Sequence, residues 1–181
     1  MFFDWVIGVA LRPGTTFVRS REQLRFGYWW IVLTVMMLET VITVFHPKFG
    51  VGAEAWVDAA FFMAMQDLIL FDIQALMLLG SGRLLRWQVT WPDATKFSGL
   101  LWSIILLEDL VTFYPAMKGY DLIEFSISAV FAVWYVAVMA IGVRRYSGLN
   151  SGKSLLLALL AGLTWRGAIF WLTLYTRGFI N

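Results

Sequence analysis

Five apolar stretches, each long enough to cross a bilayer, constrain this chain more than any other feature. A transmembrane helix needs about 20 mostly apolar residues, because the hydrocarbon core is about 30 Å thick and a helix rises 1.5 Å per residue. The stretches predict an all-α membrane protein, a bundle of five transmembrane helices over residues 26–181. They run from Phe26 to Phe45, Val57 to Leu79, Phe97 to Phe113, Leu122 to Val143 and Leu155 to Tyr175.

The composition excludes most soluble classes of protein. Apolar residues make up 60% of the chain and charged residues only 14%, whereas soluble domains carry about a quarter charged residues. The chain has no Cys and a single His, His46, so we expect no disulfide framework, no metal site and no cofactor. The net charge of +2 is scattered among apolar segments, which predicts no nucleic-acid partner.

Lys and Arg residues alternate between the two sides of the predicted bundle. Ten lie in the N-terminal segment and in the second and fourth connections, and three lie in the other connections and near the C-terminus. Cytoplasmic loops of membrane proteins hold the excess of these residues. We therefore expect a multi-pass protein of the inner cell membrane, with the N-terminus in the cytoplasm and the C-terminus outside.

Residues 1–25 predict a cytoplasmic segment that lies on the membrane surface. Apolar residues between Phe2 and Ala10, followed by Pro13, favour a short interfacial amphipathic helix. The arginines of this segment would lie among anionic lipid headgroups or contact a protein partner. They are Arg12, Arg19, Arg21 and Arg25.

Ionisable residues inside the apolar stretches are the strongest functional signal. An Asp or Arg at a helix centre costs about 2.5–3.5 kcal/mol, so such groups usually face the bundle interior and have partners. Asp67 and Arg166 both fall near the middle of their stretches, and a pair between them is geometrically possible if their helices touch. The candidate intramembrane polar site consists of Glu39, Asp67, Asp72, Glu108, Asp109 and Arg166.

The spacing of these ionisable residues along the chain places them on different faces of their helices. Asp67 and Gln74 are seven residues apart and share one face, whereas Asp72 lies about 140° from Asp67 around the helix. Gly162 and Arg166 are four residues apart and predict a close packing face. Two interpretations remain open: the acids form a proton or cation pathway, or charged pairs and hydrogen-bonded acids hold the helices together.

The segment from Gly148 to Ser154 is a weak match to a phosphate-binding loop. That motif requires four residues between its glycines and a preceding strand, but three residues separate Gly148 from Gly152 and an apolar stretch precedes them. Serine-nucleophile and zinc-protease motifs are also missing. We therefore predict no enzymatic activity, and we expect Asn150 or Ser151 to cap the last helix.

Two regions carry a family resemblance. The first is Leu11-Arg12-Pro13 followed by Phe17, just before the first apolar stretch; the second covers 133–154, where an apolar stretch ends in a short basic loop with Ser-Gly-Lys-Ser. Both are similar to the Yip1 family of small five-span membrane proteins, in its bacterial form. The resemblance implies five spans and a cytoplasmic N-terminus, with no established reaction.

Two functions are compatible with these features. The leading hypothesis is a membrane-organising or interaction protein, whose N-terminal helix and basic loops bind lipid or partner proteins, alone or as a homo-oligomer. The alternative is a small transporter or channel component that uses the intramembrane acids for proton or cation passage.

Overall fold

The chain folds into α-helices joined by short connections. The computed structural model describes residues 2–23, 28–45 and 56–180, and this part of the chain contains no strand. Arg25 and the predicted boundary between residues 25 and 26 lie outside the described residues. The helices are α1 (Phe2–Leu11), α2 (Pro13–Gln23), α3 (Tyr28–Phe45), α4 (Trp56–Leu84), α5 (Trp91–Met117), α6 (Asp121–Ser147) and α7 (Ser151–Ile180).

The predicted all-α fold is confirmed, and each apolar stretch coincides with one of the helices α3 to α7. Three described helices are long and apolar enough to cross a membrane: α4 from Val57 to Leu84, α5 and α6. α3 has 18 residues and α7 has 30 residues, and their crossing stays a prediction.

Local sequence signals set the helix ends. Thr90 and Asp93 form a capping box at the start of α5, where Pro92 lies in the first turn. α6 ends at Gly148, whose φ of 74° is a left-handed conformation that glycine adopts without strain. The Asn150 side chain accepts a hydrogen bond from the Lys153 amide at 2.9 Å, which confirms the predicted cap of the last helix.

The central helix of the bundle is α5. It packs against α1, α3, α4 and α6, while α7 packs against α4 and α6. Every residue from Ala94 to Leu106 is buried, which is the pattern of a helix surrounded by others. Gly99 permits the close approach of α3, since a Cβ there would lie 2.2 Å from the Val32 side chain.

The N-terminal helices pack on the bundle rather than standing apart from it. α1 packs on α5 and α2 on α6, and the fully buried Phe17 ring stacks on Phe97 with centroids 4.2 Å apart. α1 buries Val9 but exposes Phe3, Ile7 and Leu11. The predicted helix is present, with apolar side chains both on its buried and on its exposed face, and its place at the membrane surface stays a prediction.

One end of the bundle collects most of the cationic residues. Trp87 after α4, Phe97 in α5 and Tyr146 in α6 are in mutual ring contact there, and the Arg21 guanidinium of α2 lies 5.5 Å from the Tyr146 ring centre. We call this the basic end. Its arginines are Arg12, Arg19, Arg21, Arg83, Arg86, Arg144 and Arg145.

Candidate functional site

Three carboxylic side chains from three helices face one another inside the bundle. Glu39 on α3 lies within hydrogen-bonding range of both Asp67 on α4 and Asp109 on α5. Glu39 is 8% exposed and Asp67 5% exposed, and the Thr40 hydroxyl donates to Asp67 at 2.6 Å. We call Glu39, Asp67 and Asp109 the acidic cluster.

Glu39 has the least satisfied side chain of the acidic cluster. Its Oε2 atom is buried and receives no hydrogen bond from any donor in the described part of the chain. Two carboxyl groups in contact must share a proton, because neighbouring carboxylates in a low-dielectric interior repel each other. The acidic cluster can therefore bind at least one proton.

Arg166 pairs with the acid next to this cluster. Arg166 Nη2 on α7 donates to Glu108 Oε2 on α5 at 2.5 Å. The guanidinium also lies 5.3 Å from the ring centre of Tyr135 on α6, a distance at which a cation is attracted to the ring. The possible pair of Asp67 with Arg166 is not formed: their helices touch, but the guanidinium binds Glu108, and Asp67 accepts a hydrogen bond from Thr40.

A second polar network lies beside this pair. The Gln74 amide donates to the Tyr135 hydroxyl and accepts a hydrogen bond from the Trp102 indole at 2.8 Å. Tyr135 stacks on Trp165, with ring centroids 5.2 Å apart, and the Trp165 indole donates to the Leu70 carbonyl at 3.0 Å. The network ties α4, α5, α6 and α7 together around the Arg166–Glu108 pair.

Sequence reasoning identified most of the acids and missed the aromatic residues. Five of the six candidate residues lie together, whereas Asp72 is exposed on another face of α4 and belongs to neither group. Trp102, Tyr135 and Trp165 were not recognised as a polar lining. Their position deep inside apolar stretches, away from the membrane surfaces where Trp and Tyr are usual, is the signal that could have found them.

The described acids do not form a metal site. No group of three His, Cys, Asp or Glu side chains in the described ranges is arranged to hold a metal ion. Four acids, Glu39, Asp67, Glu108 and Asp109, lie near one arginine, so the site has more acidic groups than a single guanidinium can neutralise. Proton binding is the chemistry that fits this arrangement, since protonation removes the excess charge.

The N-terminal arginines have different surroundings. Arg21 donates to the Tyr146 carbonyl at 3.3 Å, so it binds the bundle. Arg19 lies 5.1 Å from the Trp5 ring centre and donates to Gln23 at 2.5 Å. Arg12 is exposed at the junction of α1 and α2. Arg21 thus has a partner in the bundle, and contact of these arginines with lipid stays a prediction.

Comparison with known proteins gives no relative for this chain. No family model matches it, and no curated protein or solved structure is significantly similar to it. The resemblance to the Yip1 family stays a prediction from the residues that carry it.

Proposed function

We propose that this chain is a five-span inner-membrane protein, N-terminus in the cytoplasm, whose acidic cluster binds and passes protons as part of a small transporter or channel. The basic end supports the orientation, because the arginines that the sequence assigns to the cytoplasm lie together at one end of the bundle. The span number rests on the five apolar stretches of the sequence, of which α4, α5 and α6 are long and apolar enough to cross a membrane.

The observation that carries the proton proposal is the position of Glu39. It touches two other acids, it is buried, and its Oε2 atom lacks a donor among the described residues. A purely structural acid would be expected to have its hydrogen bonds satisfied, as Asp67 does through Thr40. Buried acids that face one another in membrane helices are typical of proton relays.

Proton movement across liposomes tests this proposal. The purified chain is reconstituted with an entrapped pH-sensitive dye, and a pH gradient or a potassium diffusion potential drives the flux. We expect faster proton entry than in protein-free liposomes, and we expect Asp67→Asn to return the rate to the protein-free level. Equal rates with and without the protein under both gradients would contradict the proposal, as would flux of Na⁺ or K⁺ without protons.

A membrane-organising role is the second candidate, and the exposed face of α1 favours it. Phe3, Ile7 and Leu11 present an exposed apolar stripe along α1. Such a stripe can anchor the helix in lipid or contact a second protein or a second copy of this chain. The Yip1 resemblance implies a role of this kind, without a catalytic step.

The absence of Cys allows a clean test of the second candidate. An Ile7→Cys variant carries one thiol on the stripe, and a thiol cross-linker applied to native membranes reports what lies beside it. A cross-linked species with a second copy or another protein supports an organising role. A single species of the chain's own mass, with the thiol open to a water-soluble thiol reagent, would contradict it.

A further inference from the structure

A groove at the basic end lies between the start of α2 and the last turns of α6. Its volume is about 620 Å³, and arginines from three segments line it: Arg12 at the α1–α2 junction, Arg19 on α2 and Arg145 on α6. Val18 and Ile141 line its apolar part. The groove lies on a different part of the molecule from the acidic cluster.

Two of the three arginines are available to a ligand. Arg12 and Arg145 are exposed, and neither guanidinium has a hydrogen bond or ion pair to another described residue. Arg19 is held by Trp5 and Gln23. One carboxylate, Glu22, also lines the groove, so the three arginines leave an excess of positive charge. An anionic group is the ligand that this charge favours.

The groove combines this charge with an apolar wall. Val18 is 38% exposed and Ile141 45% exposed, and Ile141 lies one turn before Arg145 on the apolar helix α6. A ligand in the groove therefore meets both arginines and aliphatic side chains. A phospholipid matches this combination, with a phosphate beside its acyl chains.

Gly14 brings the two walls of the groove together. A Cβ at Gly14 would lie 3.2 Å from Arg145 Cγ and 3.5 Å from Ile141 Cγ2. The glycine thus allows the start of α2 to lie directly against α6. This contact holds Arg12 and Arg145 on the same groove although they are far apart in sequence.

We infer that this groove binds the phosphate of an anionic phospholipid through Arg12 and Arg145, with an acyl chain along Val18 and Ile141. The inference requires only that the chain lies in a membrane and does not depend on proton passage. The sequence predicts lipid contact for the N-terminal arginines, Arg21 among them. In the inferred site Arg145 binds the lipid as well, and Arg21 binds Tyr146 instead.

Lipid titration of the purified chain in detergent tests the inference, with native mass spectrometry or thermal stabilisation as the readout. We expect phosphatidylglycerol to bind more tightly than phosphatidylcholine. An arginine near a membrane surface contributes about 1 kcal/mol to binding anionic lipid, so Arg12→Gln combined with Arg145→Gln should weaken phosphatidylglycerol binding roughly thirtyfold. Arg83→Gln, an exposed arginine at the same end but outside the groove, should leave binding unchanged.

Three results would overturn the inference. Equal binding of phosphatidylglycerol and phosphatidylcholine would show that the headgroup charge does not contribute to binding. An equal loss in Arg83→Gln and in the groove variant would show a diffuse charge effect. Stabilisation by inorganic phosphate as strong as that by phosphatidylglycerol would identify a free-anion site instead of a lipid site.

Discussion

Arg166 on α7 donates to Glu108 on α5 at 2.5 Å and lies over the ring of Tyr135. The adjacent residue Asp109 lies near Glu39. Neighbouring residues on a helix are about 100° apart, so the side chains of Glu108 and Asp109 point in different directions. The two acids at this point of α5 therefore have different partners. Glu108 is neutralised by a guanidinium, and Asp109 joins a group of acids that can be neutralised by protons.

Breaking the Arg166–Glu108 pair should destabilise the bundle. We expect Glu108→Leu or Arg166→Leu alone to lower the free energy of unfolding by about 3 kcal/mol, since each leaves a buried charge without its partner. The double variant should recover part of this loss. Equilibrium unfolding in mixed micelles measures the three values.

A second mutant cycle serves as the control for this pair. Asp67→Asn and Arg166→Leu remove groups that do not bond to each other in the structure, so their effects should be nearly additive. A large coupling free energy between Asp67 and Arg166, together with no coupling free energy between Glu108 and Arg166, would contradict the observed pairing.

Gln74 should be essential to the stability of the aromatic network. Gln74→Leu removes the acceptor of the Trp102 indole and the donor to Tyr135, and leaving these buried groups unpaired should cost about 2 kcal/mol. Unfolding monitored by tryptophan fluorescence measures the change. Gln66→Leu is the matched control on the same helix, because Gln66 Oε1 is buried without a partner among the described residues; an equal loss there would contradict the prediction.

Gly142 should tolerate no side chain. A Cβ at this position would lie 2.6 Å from the Phe17 ring and 2.9 Å from the Phe97 ring, so Gly142→Ala should displace α2 and cost about 2 kcal/mol. Faster protease cleavage within α2 would report the displacement. Gly80→Ala is the control, because nothing lies within 4 Å of its Cβ; it should be neutral or stabilise α4 by up to about 1 kcal/mol.

Helical periodicity predicted the polar faces correctly within single helices. The seven-residue spacing of Asp67 and Gln74 placed both on one face, and both are buried. Asp72 was expected to point elsewhere and is exposed. These results depend only on the 3.6-residue repeat, which any helix imposes.

The partners across helices could not be predicted, because the order of helices around the bundle is not a local property. The pairing of Arg166 with Glu108 requires α7 and α5 to face each other across the core. The docking of α2 depends on Phe17, Phe97 and Gly142 from three separate segments. Residue patterns within one segment carry no information on such contacts.

Proton flux in a matched pair of variants tests the central claim most directly. Glu39→Gln on α3 and Asp72→Asn on α4 each replace an acid by its amide, but Glu39 is in the acidic cluster and Asp72 is exposed outside it. In liposomes under a pH gradient, the account predicts that Glu39→Gln abolishes the flux and Asp72→Asn leaves it at the wild-type rate. Wild-type flux in Glu39→Gln, or an equal loss in both variants, would contradict it.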